Sequence, residues 1–226
     1  MKLLVKFPTR ERPEKALRVL SGYIKNAANN KNIIYLVSYD DDDYMMNDYN
    51  VLKRFKELNT NVICIGGKSL NKVHAYNRDI EKIQDWDILI ASSDDMICIK
   101  KIWDEIIRKS MDALFPKKDG VLHFNDGFTG IKLNTLPILS RNYYNRFNYV
   151  YNPLYKSLWC DNEFQEVSIK LNKQIYINTI LFRHEHYCNI GGRADKLMKK
   201  TESFFNIDKA TFNKRKQINF GLNGIK

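Results

Sequence analysis

Two adjacent acids follow an apolar run near the middle of the chain. The tetrapeptide at positions 92–95, Ser-Ser-Asp-Asp, comes directly after positions 88–91, Ile-Leu-Ile-Ala, a run suited to a buried strand. Ligands of open α/β sheets bind where such strands end, and paired carboxylates suit a hard cation such as Mg²⁺ or Mn²⁺. The same residues could instead cap a helix starting near positions 97–101. The segment therefore predicts either a metal site at Asp94 and Asp95 or a capped helix.

A second metal-binding pattern lies late in the chain. His184 and His186 flank an acid directly after a strand predicted over positions 175–182. Two histidines around an acid are rarer than single histidines, and imidazole is a common metal ligand. On a strand the two rings would share a face, whereas in a turn they need not. The sequence leaves open which histidine would bind a metal.

Asp161 and Glu163 open a predicted helix that follows a cluster of aromatic residues at positions 143–155. The simplest interpretation is structural: Asp161 would be an N-cap, and Glu163 a first-turn acid that the helix dipole stabilises. Their place after an aromatic segment also suits a site for a second substrate. Both interpretations stay open at this point.

Charged residues also follow the first two predicted strands. Positions 8–13, Pro-Thr-Arg-Glu-Arg-Pro, end a short apolar strand, and the two guanidinium groups of this loop can hold a phosphate or nucleotide. Four acids at positions 40–43 end the second strand. Between this region and the central acids, a helix over positions 72–80 carries Asn77 and Arg78 away from its apolar face, where they could hold a ribose or sugar. The alternative for Arg10, Arg12 and the helix side chains is simple solvation.

The elements that must position these residues alternate along the chain. Strands and helices follow each other at short spacing up to about residue 115, which predicts a parallel, right-handed βαβ sheet. Because parallel strands end at one edge, the acids after the second and the central strand should face one crevice. We predict a single domain over residues 1–195, with a nucleotide-binding half at 1–95 and an acceptor half at 96–195. A basic helical tail at 196–226 would pack on it.

Composition limits the class of protein. The chain of 226 residues has a formal charge of +11, which favours a polyanionic or phosphorylated partner. Its four cysteines form no CxxC pair, so a disulfide scaffold is disfavoured and reduced thiols in a cytoplasmic setting are predicted. No apolar run approaches the roughly 18 residues of a membrane span, and no signal peptide is recognisable. We therefore expect no membrane association.

These motifs together resemble a family 2-like glycosyltransferase of GT-A fold over residues 1 to about 187. The resemblance rests on the loop at 8–13, the acids at 40–43, Ser93-Asp94-Asp95, the segment Trp159-Cys-Asp-Asn-Glu-Phe164 and a late histidine. Small phage-encoded members carry a segment similar to positions 120–127, Gly-Val-Leu-His-Phe-Asn-Asp-Gly. The chain departs from the family at Ser93, where many members have the first acid of a DxD motif.

The resemblance implies a mixed, mostly parallel central sheet flanked by helices, a nucleoside diphosphate sugar as donor, and a divalent cation. Asp95 would bind the cation with His184 or His186, and Asp94 would contact ribose or sugar. Asp161, or else Glu163, would be the general base of an inverting transfer. Loop, helix and resemblance together predict a donor site made of Pro8, Thr9, Arg10, Arg12, Asp40, Asp41, Asp42, Asn77, Arg78 and Asp94.

Three alternatives remain at the level of sequence. A nucleotidyltransferase would also join nucleotide, metal and paired acids, but the chain has no Gly-rich phosphate loop. A nucleic-acid-binding module would explain the charge but not acids at three strand ends. Within glycosyltransferases, the charge and the phage resemblance favour hydroxymethylated DNA as acceptor, acting in a host cytoplasm, over a glycan or small molecule. Sugar, nucleotide and oligomeric state are open.

Overall fold

The computed structural model of the protein describes residues 1–224, so positions 225–226 of the predicted tail lie outside it. The strands are β1 (Leu3–Pro8), β2 (Ile33–Asp40), β3 (Val62–Gly67), β4 (Ile88–Ala91), β5 (Met96–Cys98), β6 (Val121–Asn125), β7 (Ile138–Ser140), β8 (Gln174–Ile180) and β9 (Phe182–His184). The helices are α1 (Pro13–Asn26), α2 (Tyr49–Leu58), α3 (Lys72–Asn77), α4 (Trp103–Leu114), α5 (Arg141–Tyr144), α6 (Cys160–Lys170), α7 (Lys196–Glu202) and α8 (Phe205–Gln217).

The central sheet has seven strands in the order β3-β2-β1-β4-β7-β6-β8. Strands β3, β2, β1 and β4 pair in parallel, β7 is antiparallel to both of its neighbours, and β6 pairs in parallel with β8. Strands β5 and β9 form a separate antiparallel pair. The mixed, mostly parallel sheet that the sequence predicted is confirmed.

Helices cover both faces of the sheet, as the uninterrupted apolar strands require. Leu3, Val5 and Phe7 of β1 face one core cluster, which includes residues of α1 and α4, whereas Leu4 faces the other. This second cluster contains residues of α3, α5, α6 and α8. The period-2 alternation of β1 therefore separates two cores.

The local prediction for positions 96–102 is wrong. Met96–Cys98 form β5 rather than the start of a helix, because they pair with β9, and α4 begins only at Trp103. Ile99 and Ile102, which a helix beginning near position 97 would have placed on its apolar face, are consequently 47% and 50% exposed. Because no helix starts at positions 97–101, Asp94 and Asp95 do not cap one.

Two further sequence expectations need correction. The sequence predicts a strand over positions 131–137, but none forms: positions 130–132 form a 3₁₀ turn, and pairing begins at Ile138. The aromatic cluster is mostly core, since Tyr143, Tyr144, Tyr151 and Tyr155 are buried by edge-on ring packing and by α6. These four rings cannot stack on a ligand.

No helix among residues 1–224 has the length and apolar character needed to cross a membrane.

Candidate active site

The carboxyl ends of β1, β2 and β4 lie level with one another at one edge of the sheet. Pro8 of β1 is opposite Ser38 of β2, and Lys6 of β1 is opposite Ala91 of β4. The loops that follow these three strands carry the acids and arginines singled out in the sequence. The topology therefore brings the predicted residues of these loops to one edge of the sheet.

The pairing of β5 with β9 places a histidine against the central acids. Met96 is opposite His184, and the Glu185 amide donates to the carbonyl of Asp95 at 2.8 Å. The Nε2 atom of His184 lies 3.7 Å from an Oδ atom of Asp95, and its Nδ1 atom lies 3.7 Å from a carboxylate oxygen of Asp126. The imidazole is thus held between two carboxylates from different strand ends.

The charges of this trio depend on one another. Burial opposes ionisation of Asp95, but the adjacent His184 and the Ser93 hydroxyl outweigh it and hold the pKa of Asp95 well below its usual range. Burial likewise disfavours the His184 cation, yet the carboxylates of Asp126 and Asp95 raise the pKa of His184 to about 9. The pocket is therefore built for positive charge between two ionised acids.

His186 has different surroundings. Its ring centroid lies 5.7 Å from that of His184 and 4.5 Å from the ring of Tyr187, and burial lowers the pKa of its imidazole. His184, not His186, is the histidine that meets Asp95. The β5–β9 register thus places His184 against Asp95, which makes it the candidate of the two histidines for a metal ligand.

Asp95 and His184 could supply two ligands to a divalent cation that the donor helps to hold, because the approaching cation would displace the proton of the imidazole. Among residues 1–224 there is no group of three or more His, Cys, Asp and Glu side chains able to enclose a metal. Mg²⁺ sites that serve phosphates commonly use only one or two carboxylates and take the remaining ligands from water and substrate. Nδ1 of His184 faces the Asp126 carboxylate at 3.7 Å, on the side where a metal-bound histidine usually donates its second ring N–H to a carboxylate.

Asp126 is a residue that the sequence interpretation missed. It follows β6 and is 4% exposed, and its carboxylate accepts hydrogen bonds from the amides of Phe128 and Thr129 and from the hydroxyls of Thr129 and Thr135 at 2.7–2.9 Å. An Asp-Gly pair after a strand indicates a turn, and the chain does turn after Asp126. The sequence signal that could have identified Asp126 is an acid directly after an apolar strand, as at the other strand ends.

Asp161 lies in the first turn of α6 and is not its N-cap. The preceding Trp159 has a φ of 62°, so the cap position is taken by a left-handed residue without a side-chain cap. The Asp161 carboxylate accepts the amide of Asn162 at 2.9 Å. Burial raises the pKa of Asp161, against the opposing charges of Lys72 and His184, which are close enough to act on it.

Glu163 is occupied by structural contacts. It is 3% exposed and accepts hydrogen bonds from Tyr155 at 2.7 Å, from Asn152 at 2.9 Å and from Arg215 of α8 at 2.8 Å. Each carboxylate oxygen has at least two donors among these groups. Of the two predicted base candidates, Asp161 is the one with spare capacity to accept a proton.

Arg10 ties the loops after β1 and β2 together. Its guanidinium lies 2.7 Å from Asp40 and makes two contacts of 2.6 and 3.2 Å with Asp42. Pro8 ends β1, and Thr9 follows with its amide bonded to Ser38 at 3.0 Å. The Thr9 hydroxyl is buried and lacks a hydrogen-bond partner within residues 1–224. A buried hydroxyl in this state is suited to a ligand atom.

The remaining predicted donor residues fall into two groups. Arg12 and Lys15 lie 3.2 and 3.4 Å from Asp94, and burial raises the pKa of that carboxyl. Arg78 lies 3.8 Å from Asp40 and donates to the carbonyl of Tyr39 at 2.6 Å, so it also borders the crevice.

One predicted donor residue, Asn77, uses its side chain to hold backbone groups, and a second, Asp41, is bonded through its own backbone amide. Asn77 binds the amides of Val150 and Tyr151 at 2.9 and 3.1 Å and the Tyr151 carbonyl at 2.6 Å. Asp41 bonds through its amide to Gly67 at 3.2 Å. A Cβ atom added at Gly66 would come within 2.9 Å of a carboxylate oxygen of Asp41.

Solved structures with a similar architecture include glycosyltransferases. Mannosyltransferase PcManGT from Pyrobaculum calidifontis, in complex with GDP-Man and Mn²⁺, has a TM-score of 0.64 at 9% identity and covers 100% of this chain and 76% of that one. S. aureus TarS 1-349 in complex with UDP-GlcNAc has a TM-score of 0.63 at 13% identity, over 88% of this chain and 61% of that one. No protein-family model matches the sequence, and no curated protein sequence is similar to it.

The structural likeness defines the fold. A putative nucleotide-diphospho-sugar transferase from Desulfovibrio desulfuricans G20 also matches, with a TM-score of 0.51 at 12% identity over 79% of this chain and 80% of that one. The chain spans only 37% of a longer TarS structure. The protein has the GT-A glycosyltransferase fold, as the sequence resemblance predicted.

Proposed function

We propose that the protein is a metal-dependent glycosyltransferase that moves a sugar from a nucleoside diphosphate sugar, a UDP-sugar in the first instance, to an acceptor hydroxyl with inversion. The observation that carries this proposal is the 3.7 Å approach of His184 to Asp95 at the carboxyl edge of a GT-A sheet. The proposal draws support from solved structures of the same fold that hold GDP-Man with Mn²⁺ and UDP-GlcNAc.

The donor would lie across the loops after β1 and β2, with its diphosphate near Asp95. Thr9, Arg10, Arg78 and Asp40 border this path, and Asp94 would meet the ribose or sugar between the loops and the metal site. A Mg²⁺ or Mn²⁺ ion held by Asp95 and His184 would offset the charge that develops on the leaving diphosphate. Asp126 would keep the His184 ring oriented for that purpose.

Asp161 would accept the proton of the acceptor hydroxyl while the hydroxyl oxygen attacks the anomeric carbon. Its pKa is raised by burial, which makes the carboxylate a stronger base than an exposed aspartate. The C–O bond to the diphosphate breaks on the opposite side of the sugar, so a single displacement inverts the anomeric centre. Glu163 would support this site rather than take part, because its oxygens are already hydrogen-bonded.

The proposed activity is tested with a panel of nucleotide sugars and Mn²⁺, following release of the nucleoside diphosphate by hydrolysis. We expect at least one donor to be consumed. A nucleotidyltransferase would instead release pyrophosphate from a nucleoside triphosphate, and a nucleic-acid-binding module would turn over neither. Consumption of no nucleotide sugar would overturn the proposal.

Arg10 gives a prediction for donor binding. Arg10→Ala removes the guanidinium that joins Asp40 to Asp42, so Asp42 loses its ion pair and Asp40 keeps only Arg78, at 3.8 Å. Because charged hydrogen bonds contribute about 1.5–3 kcal/mol, we expect UDP affinity to fall by about tenfold or more in calorimetry. Arg54→Ala is the matched control, since Arg54 makes a similar bidentate pair with Glu14 on the exposed side of α2. Unchanged affinity in both Arg10→Ala and Asp42→Ala would remove these loops from the donor site.

For the acceptor we propose DNA carrying a hydroxymethylated pyrimidine, with a glycan or small molecule as the alternative. The support is the charge of +11 and the exposed lysines of α7 and α8, among them Lys199, Lys200 and Lys214. The buried tyrosines contribute nothing to this surface, so the proposal rests on phosphate contacts alone.

Binding to DNA should therefore weaken steeply with salt. The logarithm of the association constant should fall linearly with the logarithm of salt concentration, and the double charge reversal Lys199→Glu and Lys200→Glu should reduce that slope. Fluorescence anisotropy with hydroxymethylated and unmodified duplexes measures both effects. Salt-insensitive or absent binding, with no sugar transfer to hydroxymethylated DNA, would favour the glycan or small-molecule acceptor.

A further inference from the structure

Helix α8 contacts the chain segment that precedes Asp161 in sequence. The carboxylate of Asp208 is fully buried and accepts three consecutive backbone amides, those of Lys156 at 2.9 Å and of Ser157 and Leu158 at 2.8 Å each. These amides immediately precede Trp159 and the first turn of α6. A single buried charge thus fixes the approach of the chain to Asp161.

The same helix holds the segment on the other side of Asp161. Arg215 lies 2.8 Å from Glu163, two residues beyond Asp161, and the carboxylate raises the pKa of the guanidinium. Between the two contacts along α8, the ring of Phe212 packs 5.2 Å from the ring of Trp159. Residues 208, 212 and 215 have the i, i+4, i+7 spacing of one helical face. That face of α8 therefore contacts the chain before, at and after the turn.

The turn between these contacts is strained. Trp159 has a φ of 62°, in the left-handed region that bulky residues rarely occupy. Such a conformation costs on the order of 1–3 kcal/mol and persists only where its surroundings enforce it. It sets the direction in which α6 starts, and hence where the carboxylate of Asp161 points.

Resting on the proposed function, we propose that α8 belongs to the catalytic apparatus, with Asp208 and Arg215 as positioning residues for the base Asp161. Neither residue touches the substrate. They hold Trp159 in its left-handed conformation, so that the Asp161 carboxylate meets the acceptor oxygen at the correct distance. A misplacement of about 1 Å at such a group can cost on the order of 10²-fold in rate.

The test compares Asp208→Asn with Asn213→Ala, an exposed residue of the same helix. The probe is the nucleotide sugar that the wild-type chain hydrolyses fastest with Mn²⁺, and calorimetry with UDP is the parallel binding measurement. We expect Asp208→Asn to lower kcat by about 10- to 100-fold with UDP affinity unchanged, and Asn213→Ala to match wild type. Arg215→Lys, which keeps the charge but not the bidentate fork, serves if Asp208→Asn does not fold.

A double-variant cycle separates positioning from general destabilisation. If Asp208 acts through Asp161, adding Asp208→Asn to Asp161→Asn produces no further loss of kcat. An equal loss in both backgrounds, or a loss of UDP binding along with kcat, would overturn the inference and leave a purely structural helix. If the wild-type protein hydrolyses donor and Asp208→Asn is equally active, the inference is overturned and the proposed function is not. A wild-type chain that neither binds UDP nor consumes any donor overturns the proposed function, and the inference with it.

Discussion

Asp161→Asn should lower kcat for sugar transfer or donor hydrolysis by about 10²- to 10⁴-fold, the usual effect of removing a general base. The amide keeps the size of the side chain and can still accept the Asn162 amide, so the fold and UDP affinity should be retained. Loss of kcat without loss of nucleotide binding is the expected signature, since the base acts only when the acceptor oxygen attacks.

The pH dependence of kcat provides an independent check on Asp161. A base works in its ionised form, and burial raises the pKa of Asp161, so kcat should fall as pH is lowered through a pKa above the ordinary aspartate range. The acid limb should disappear in Asp161→Asn, because the residual rate no longer depends on that carboxyl. A limb that survives the substitution unchanged would belong to another group.

Glu163→Gln is the matched control for Asp161→Asn. It removes a carboxylate charge two residues away and weakens the positioning contact with Arg215, so we expect lower thermal stability and a smaller loss of kcat than in Asp161→Asn. Comparing kcat for the two variants well below their unfolding temperatures separates the roles. Wild-type turnover in Asp161→Asn together with a large loss in Glu163→Gln would reverse the assignment.

The sequence was informative wherever an apolar strand ends on polar residues. Alternation of strands and helices predicted the parallel part of the sheet, and the acids after β2 and β4 and the arginines after β1 do lie along one edge. This part depends on local periodicity, which a single sequence shows directly.

Long-range pairing was beyond what local pattern could predict. Met96–Cys98 is as apolar as a helix start, and only its pairing with Phe182–His184 makes it a strand. That pairing also selects His184 over His186, because a one-residue change of register would bring a different side chain to Asp95. The roles of Asp126, Asp208 and Arg215 depend on contacts across 50 or more residues of sequence, as in the Asp208 and Arg215 hydrogen bonds.

Asp95→Asn should abolish turnover while leaving the protein folded. The substitution removes the charge that His184 faces and halves the anionic character of the trio, so a divalent cation would lose its carboxylate ligand. Calorimetry with Mn²⁺ in the presence of saturating UDP should show metal binding to wild type and none to Asp95→Asn. Asp48→Asn is the matched control, because Asp48 caps α2 in solvent and asparagine can cap equally well.

Separate substitutions of His184 and His186 test which histidine binds the metal. His184→Ala should lose Mn²⁺ affinity, whereas His186→Ala should retain it, since the His186 ring packs against Tyr187 and not against Asp95. Asp126→Asn should weaken Mn²⁺ binding by about 10- to 100-fold, the usual effect of removing the carboxylate that orients a metal-bound histidine. Full activity of the wild-type chain in excess chelator would contradict all of these expectations at once, because Arg10, Arg12 and Lys72 would then have to offset the diphosphate charge without a cation.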